Sequence, residues 1–216
     1  MAQESIADKK KRAAKIIALL KKQYPDARCS LDFGTVHQLM VATILSAQCT
    51  DERVNMVTPA LFERYTTVKD FAEANTEELE QLIYTTGFFR AKAKAIKQSA
   101  QQLMEQHGGE IPPTLEELVR LQGVGRKTAS VILGAGFGLA EGVVVDTHVG
   151  RISRKLGLTR KNHPAKIERD LMALIDKDDW IAFSHLLIYH GRAICTARSP
   201  RCGECPVRKL CPGAEI

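Results

Sequence analysis

Apolar residues recur along the chain at helical spacing, and little of the sequence alternates as a half-buried strand would. Ala13, Ile16, Ile17 and Leu20 give a segment from about Ile6 to Tyr24 one apolar face, with lysines on the other. A second apolar helix is predicted from Val36 to Ala47, after which Thr50 or Asp51 caps a third that ends near Tyr65. Asn75 and Glu78 have capping-box spacing for a helix to about Thr85, and Gly87 stops it. Residues Ala91 to Gln106 form the next, basic on one side and ended by Gly108 and Gly109.

Further on, Thr114 and Glu117 open a short helix whose Leu115, Leu118 and Val119 face inward. It runs into Gly123-Val124-Gly125, and Ala129, Val131, Ile132 and Ala135 then resume helical spacing, so residues from about 114 to 136 read as helix, tight turn, helix. Asp146 caps a helix with Val149, Ile152 and Leu156 on its face. Pro164 sits at the first position of another to about Ile175, and Trp180 to Ile194 is the last. The expected fold class is all-α, and no repeat or low-complexity linker separates domains.

Charge narrows the choice of partner. A net charge of +6 suits an acidic partner, with nucleic acid first because Lys and Arg neutralise phosphates, although a solubilising surface explains the charge equally well. The first 26 residues mix acids, bases and only a short apolar stretch, Ile16 to Leu20, so no secretory leader is expected. The most apolar region, Val131 to Val145, is interrupted by four glycines and Glu141 and falls short of the ~18 continuous apolar residues of a membrane span. A soluble, cytoplasmic protein without membrane association is expected.

Two glycines flanking Val124 permit a sharp turn and close backbone approach. Amides of Gly123, Val124, Gly125, Arg126 and Lys127, if they point outward at the start of the following helix, would form an anion site suited to a DNA phosphate, although a bare GxG pattern is also an ordinary helix-to-helix turn. Lys127 falls in the first helical turn, where the positive end of the dipole favours a nucleophilic free amine over ammonium. Its alternative is a surface lysine pairing with phosphate. Asp146, oriented as an N-cap, could stabilise positive charge developing on a sugar ring, or serve only as a cap.

Four of the six cysteines, Cys195, Cys202, Cys205 and Cys211, fall within 17 residues and can converge on one metal centre. Spacing alone leaves iron, zinc and two bridged disulfides open. Arg198, Arg201, Arg208 and Lys209 surround them, giving a basic surface for the DNA backbone.

The segment from Leu121 to Ala129, with Val145-Asp146-Thr147-His148, closely resembles the helix-hairpin-helix DNA glycosylase/AP lyase family with an iron-sulfur cluster. Similarity extends to Leu45 through Asp51, Thr86-Gly87-Phe88 and His190-Gly191-Arg192. The resemblance implies Lys127 as the Schiff-base nucleophile, Asp146 as the catalytic carboxylate, Gln48 as the residue filling the space of the flipped base, and Phe88 as an intercalating wedge. It also implies a 4Fe-4S cluster on the four cysteines. The family commonly has an aliphatic residue where Phe88 stands and proline where Gln122 stands, so a somewhat less rigid hairpin is expected.

By the same resemblance, residues 29–140 form a six-helix barrel containing the hairpin motif. Residues 1–28 join 141–216 as the cluster domain, with a DNA cleft between the two lobes. The implied function is removal of oxidised pyrimidines from damaged double-stranded DNA, followed by β-elimination, by an enzyme expected to be a monomer in the bacterial cytosol or nucleoid. An adenine-mismatch glycosylase and a non-catalytic DNA-binding module are the alternatives. Lys127 paired with Asp146 disfavours both.

Overall fold

The computed structural model describes residues 4–214, and these are helical with no strand among them. The chain folds into two compact units. One is Cys29–Glu141; the other joins the segment ending at Arg28 to the segment beginning at Gly142.

The first unit contains α2 (Val36–Leu45), α3 (Asp51–Arg64), α4 (Val68–Glu73), α5 (Thr76–Ile83), α6 (Phe89–His107), α7 (Leu115–Leu118) and α8 (Arg126–Val131). Side chains on almost every side of α2 are buried, including Leu39 through Leu45, as expected of a helix that is apolar all round. α6 contributes Ala93, Ala95, Ile96, Ala100 and Leu103 to the same core. The predicted caps are made: Thr50, Asn75 and Thr114 each accept a hydrogen bond from the backbone N–H three residues on.

Several boundaries depart from the pattern of the sequence. α4 has no counterpart among the predicted helices, although Thr67 and Asp70 form a full capping box at its start. α2 ends at Leu45 rather than Ala47, and the chain passes through a turn at Gln48. After α5 the chain tightens into a 3₁₀ turn at Tyr84–Thr86, and α6 begins at Phe89, ahead of the expected Ala91. Beyond α8 the helix widens into a π-helical turn at Ile132–Gly136.

The second unit holds α1 (Ile6–Gln23), α9 (Thr147–Lys155), α10 (Pro164–Met172) and α11 (Trp180–Ala193). Its core gathers Ile16 and Leu20 from α1, Val149 and Ile152 from α9, Ile167 and Leu171 from α10, and Phe183 and Leu187 from α11. Arg12 fastens α1 to the end of the chain: one guanidinium nitrogen donates to the carbonyls of Leu156 at 2.6 Å and Leu210 at 3.0 Å. The other two guanidinium nitrogens hold Glu4 at 2.7 Å. Among the described residues, no helix is long and apolar enough to cross a membrane.

Gly123 is fixed by two constraints at once. Its φ is +78°, and a Cβ there would lie 2.7 Å from the Cβ of Ala95 on α6. Gly123→Ala is therefore expected to destabilise the protein by about 2 kcal/mol, through left-handed backbone strain and overpacking. Chemical denaturation measures this, and an unchanged midpoint would contradict it.

Candidate active site and metal centre

The turn between α7 and α8 is seated from below and open above. Val124 is buried, with its N–H donating to Leu121 O at 3.1 Å, and Gly125 is the N-cap of α8. Arg126 and Lys127 are the first two residues of α8, and both are exposed. Gln122, where a less rigid hairpin is expected, is instead tethered: its N–H donates to Gln102 Oε1 at 2.7 Å, and Gln102 Nε2 donates to Arg120 O at 3.3 Å. A proline at this position would have no N–H to donate. Here α6 supplies, through Gln102, restraint that a fixed ring would otherwise give.

Gln48 and Phe88 share an unusual backbone. They are the two non-glycine residues with positive φ among the described residues, at 52° and 46°. Both side chains are exposed, Phe88 at 66%, which sets it apart from a core aromatic. Phe88 is also the residue from which α6 starts. Between the two turns lies the buried Lys92, whose ammonium donates to Leu45 O at 2.7 Å and Thr86 O at 2.8 Å. Burial lowers its pKa from the ordinary lysine value, partly offset by Cys49.

In the second unit Asp146 is the N-cap of α9, half-buried, with Oδ1 accepting from Val149 N–H at 2.7 Å. Burial lowers the pKa of the adjacent His148, with Asp146 acting in the opposite direction. The His148 ring lies so close to Gly191 that a Cβ there would collide with it, which explains a glycine between His190 and Arg192 on α11.

Cys195, Cys202, Cys205 and Cys211 line one cavity, together with Ile152, Leu156 and Val207. Arg151 directs a guanidinium N–H at Cys195 Sγ, 3.8 Å away. His190 Nε2 lies 3.5 Å from Cys205 Sγ, and its Nδ1 lies 3.1 Å from the Tyr24 hydroxyl. Burial pushes His190 down to about 4, so the ring is neutral near pH 7. The two nitrogens of one neutral ring thus face the Tyr24 hydroxyl and the Cys205 sulfur.

Residues 41–177 match the HhH-GPD superfamily of base excision DNA repair proteins, and residues 195–211 match the iron-sulfur binding domain of endonuclease III. Endonuclease III of Synechocystis sp. is 56% identical over 210 residues, covering 97% of this chain and 96% of that protein. The chain belongs to the endonuclease III family. Two solved structures, a non-covalent endonuclease III–DNA complex and a trapped endonuclease III–DNA covalent intermediate, each match with a TM-score of 0.89 at 40% identity, covering 95% of this chain and 96% of theirs.

The cofactor of this endonuclease III family member is a 4Fe-4S cluster. The donor set fits it. A cubane spreads its thiolates over four irons, which four cysteines around a common cavity can satisfy. Burial raises the pKa of the Cys205 and Cys211 thiols, and bound iron would supply the positive charge that stabilises their thiolates. Nitrogens of Arg151 and His190 lie at sulfur contact distance, where they can support such ligands.

Several of these contacts leave no mark in the sequence. Lys92, Gln102, Arg151 and Tyr24 act across 20 to 166 positions of sequence in most of these bonds, and no local pattern announces them. Cys205→Ala is expected to strip iron and sulfide from the protein together with its visible absorbance, as measured by metal analysis and absorption spectroscopy. Stoichiometric zinc in anaerobically purified wild-type protein would overturn the cluster assignment.

Proposed function

We propose that this endonuclease III family member removes oxidised pyrimidines from duplex DNA through a Schiff base on Lys127 and then cuts the strand by β-elimination. Family membership makes the chain a bifunctional glycosylase and lyase of base excision repair. The observation that carries the assignment of the lysine is its place: Lys127 is exposed in the first turn of α8, directly after a glycine turn seated on α6.

A glycosidic carbon inside a stacked duplex is out of reach, so the damaged nucleotide must first leave the helix. Amides of Gly123 and Gly125, with Arg126, hold the DNA backbone without reading sequence; the Val124 amide, expected to join them, is instead spent on Leu121 O, and buried Val124 seats the turn. Phe88 wedges into the stack, and Gln48 offers its amide to the orphaned partner base. The Lys127 amine forms a bond to C1′ as the C1′–N glycosidic bond breaks. The departing base takes up a proton. Opening of the sugar ring gives an imine, which makes the C2′ proton acidic; loss of that proton expels the 3′ phosphate and cuts the strand.

Asp146 stabilises the positive charge that develops on the sugar and accepts the proton lost by the amine. Its hydrogen bond from Val149 N–H supports this role by fixing the carboxylate. The barrel and cluster domains are assigned to the units Cys29–Glu141 and the remainder of the chain. A monomer acting in the bacterial cytosol or nucleoid completes the reading.

Borohydride reduction during incubation with duplex DNA containing thymine glycol or an abasic site tests the mechanism. Wild-type protein should form a covalent adduct on both, Lys127→Ala on neither, and Asp146→Asn should slow base release by about 100-fold or more. Trapping by Lys127→Ala at the wild-type level would sink the lysine mechanism.

A further inference from the structure

Lys92 is 4% exposed, and its two acceptors are the carbonyls of Leu45 and Thr86. Leu45 is the last residue of α2, three before Gln48; Thr86 closes the 3₁₀ turn, two before Phe88. One ammonium therefore bridges the stems of the two turns that carry Gln48 and Phe88. The carbonyl end of α2 is the negative end of its dipole, where a cation is favoured and a C=O lacks an intrahelical partner. Hydrogen bonds from a charged donor are about twice as strong as neutral ones, so the bridge is stiff. Thr86 is itself buried, its hydroxyl donating to Ile83 O at 2.8 Å.

The strained backbone points the same way. Left-handed φ at a glutamine and a phenylalanine persists only where surrounding structure over-determines it. Both such residues flank the Lys92 bridge. A buried lysine is a costly way to fill space, because its charge must be desolvated. A methionine would pack there without that cost but would leave two carbonyls unbonded.

We infer that Lys92 is a positioning residue that locks the Gln48 and Phe88 turns into one rigid probe, so that gap-filling and wedging of the duplex occur as a single coupled step. The inference rests on the roles proposed above for Gln48 and Phe88. Lys92 reaches DNA only through the two turns. Releasing it leaves the probe residues present but lets each turn move independently.

Duplex opening is read by stopped-flow fluorescence of 2-aminopurine placed beside a paired thymine glycol, with cleavage of a preformed abasic site measured alongside. Lys92→Met should slow opening and base release from the paired lesion by about tenfold, the scale expected when reacting groups are misplaced without being removed. Cleavage at the abasic site, which has no damaged base pair to break, should change by less than about twofold on the same reasoning. Phe88→Ala should slow opening in the wild-type background and add little in Lys92→Met. Wild-type opening by a folded Lys92→Met, equal loss on both substrates, or fully additive effects would overturn the inference.

If Lys92→Met does not fold, the cycle of Gln48→Ala and Phe88→Ala in the chain with Lys92 intact decides: non-additive slowing of opening supports one coupled probe, and additive slowing contradicts it. If neither single variant alters opening, the probe roles themselves fail and the inference falls with them. Slowing by both single variants alongside wild-type opening by Lys92→Met rejects the clamp alone.

Discussion

Between Gly123 and the Cβ of Ala95 there is no room for another carbon, and this close approach fixes the turn before α8 onto α6. The rest of the first unit's exposed chemistry depends on the same helix. One face of α6 presents Lys92, Ala95 and Gln102; the last two engage the turn before α8, and Lys92 engages the turns at Gln48 and Phe88. Ala95 receives the glycine turn, Gln102 tethers the residue before it, and Lys92 joins the ends of α2 and the 3₁₀ segment. Small, amide and cationic side chains thus do three distinct jobs within about three turns of helix. A residue larger than alanine at position 95 would lift the hairpin, and Lys127 with it.

The second unit solves a different problem. The segment from Cys195 to Cys211 contains little apolar matter, with Val207 its fully buried contribution to the core. Short 3₁₀ turns at Cys202–Glu204 and Arg208–Leu210 order it locally. Beyond those, it is held by Arg12 from α1 and by packing against α9 and α11, and its four thiols would add a cluster as a further tie. Metal binding by such a segment is coupled to its folding, because the ligands converge only when the loop is ordered. Arg151 and His190 show that the helices behind the loop contribute more than a wall: each sends a nitrogen to a cysteine sulfur of the loop.

Local chemistry is legible in the sequence and long-range chemistry is not. Thr50, Asn75, Thr114 and Asp146 cap helices where their spacing says they should, because a cap is satisfied by amides two or three residues away. Pro164 opens α10 for the same local reason. The unpredicted α4 carries a readable Thr67 and Asp70 signal, but at six residues its periodicity is too short to register. Lys92 reads simply as part of the basic side of α6. Its burial is decided by carbonyls 6 and 47 positions away, which no helical pattern encodes. The tether on Gln122 is equally invisible locally, because Gln102, its partner, lies 20 residues upstream.

Catalysis by this chain comes down to one nitrogen forming a bond with the sugar. Proteolysis of the borohydride-reduced protein–DNA adduct, followed by peptide sequencing in the mass spectrometer, locates that bond. The sugar remnant should be found on Lys127. Its recovery on Lys92, Lys94 or the amino terminus, with Lys127 unmodified, would contradict the central assignment.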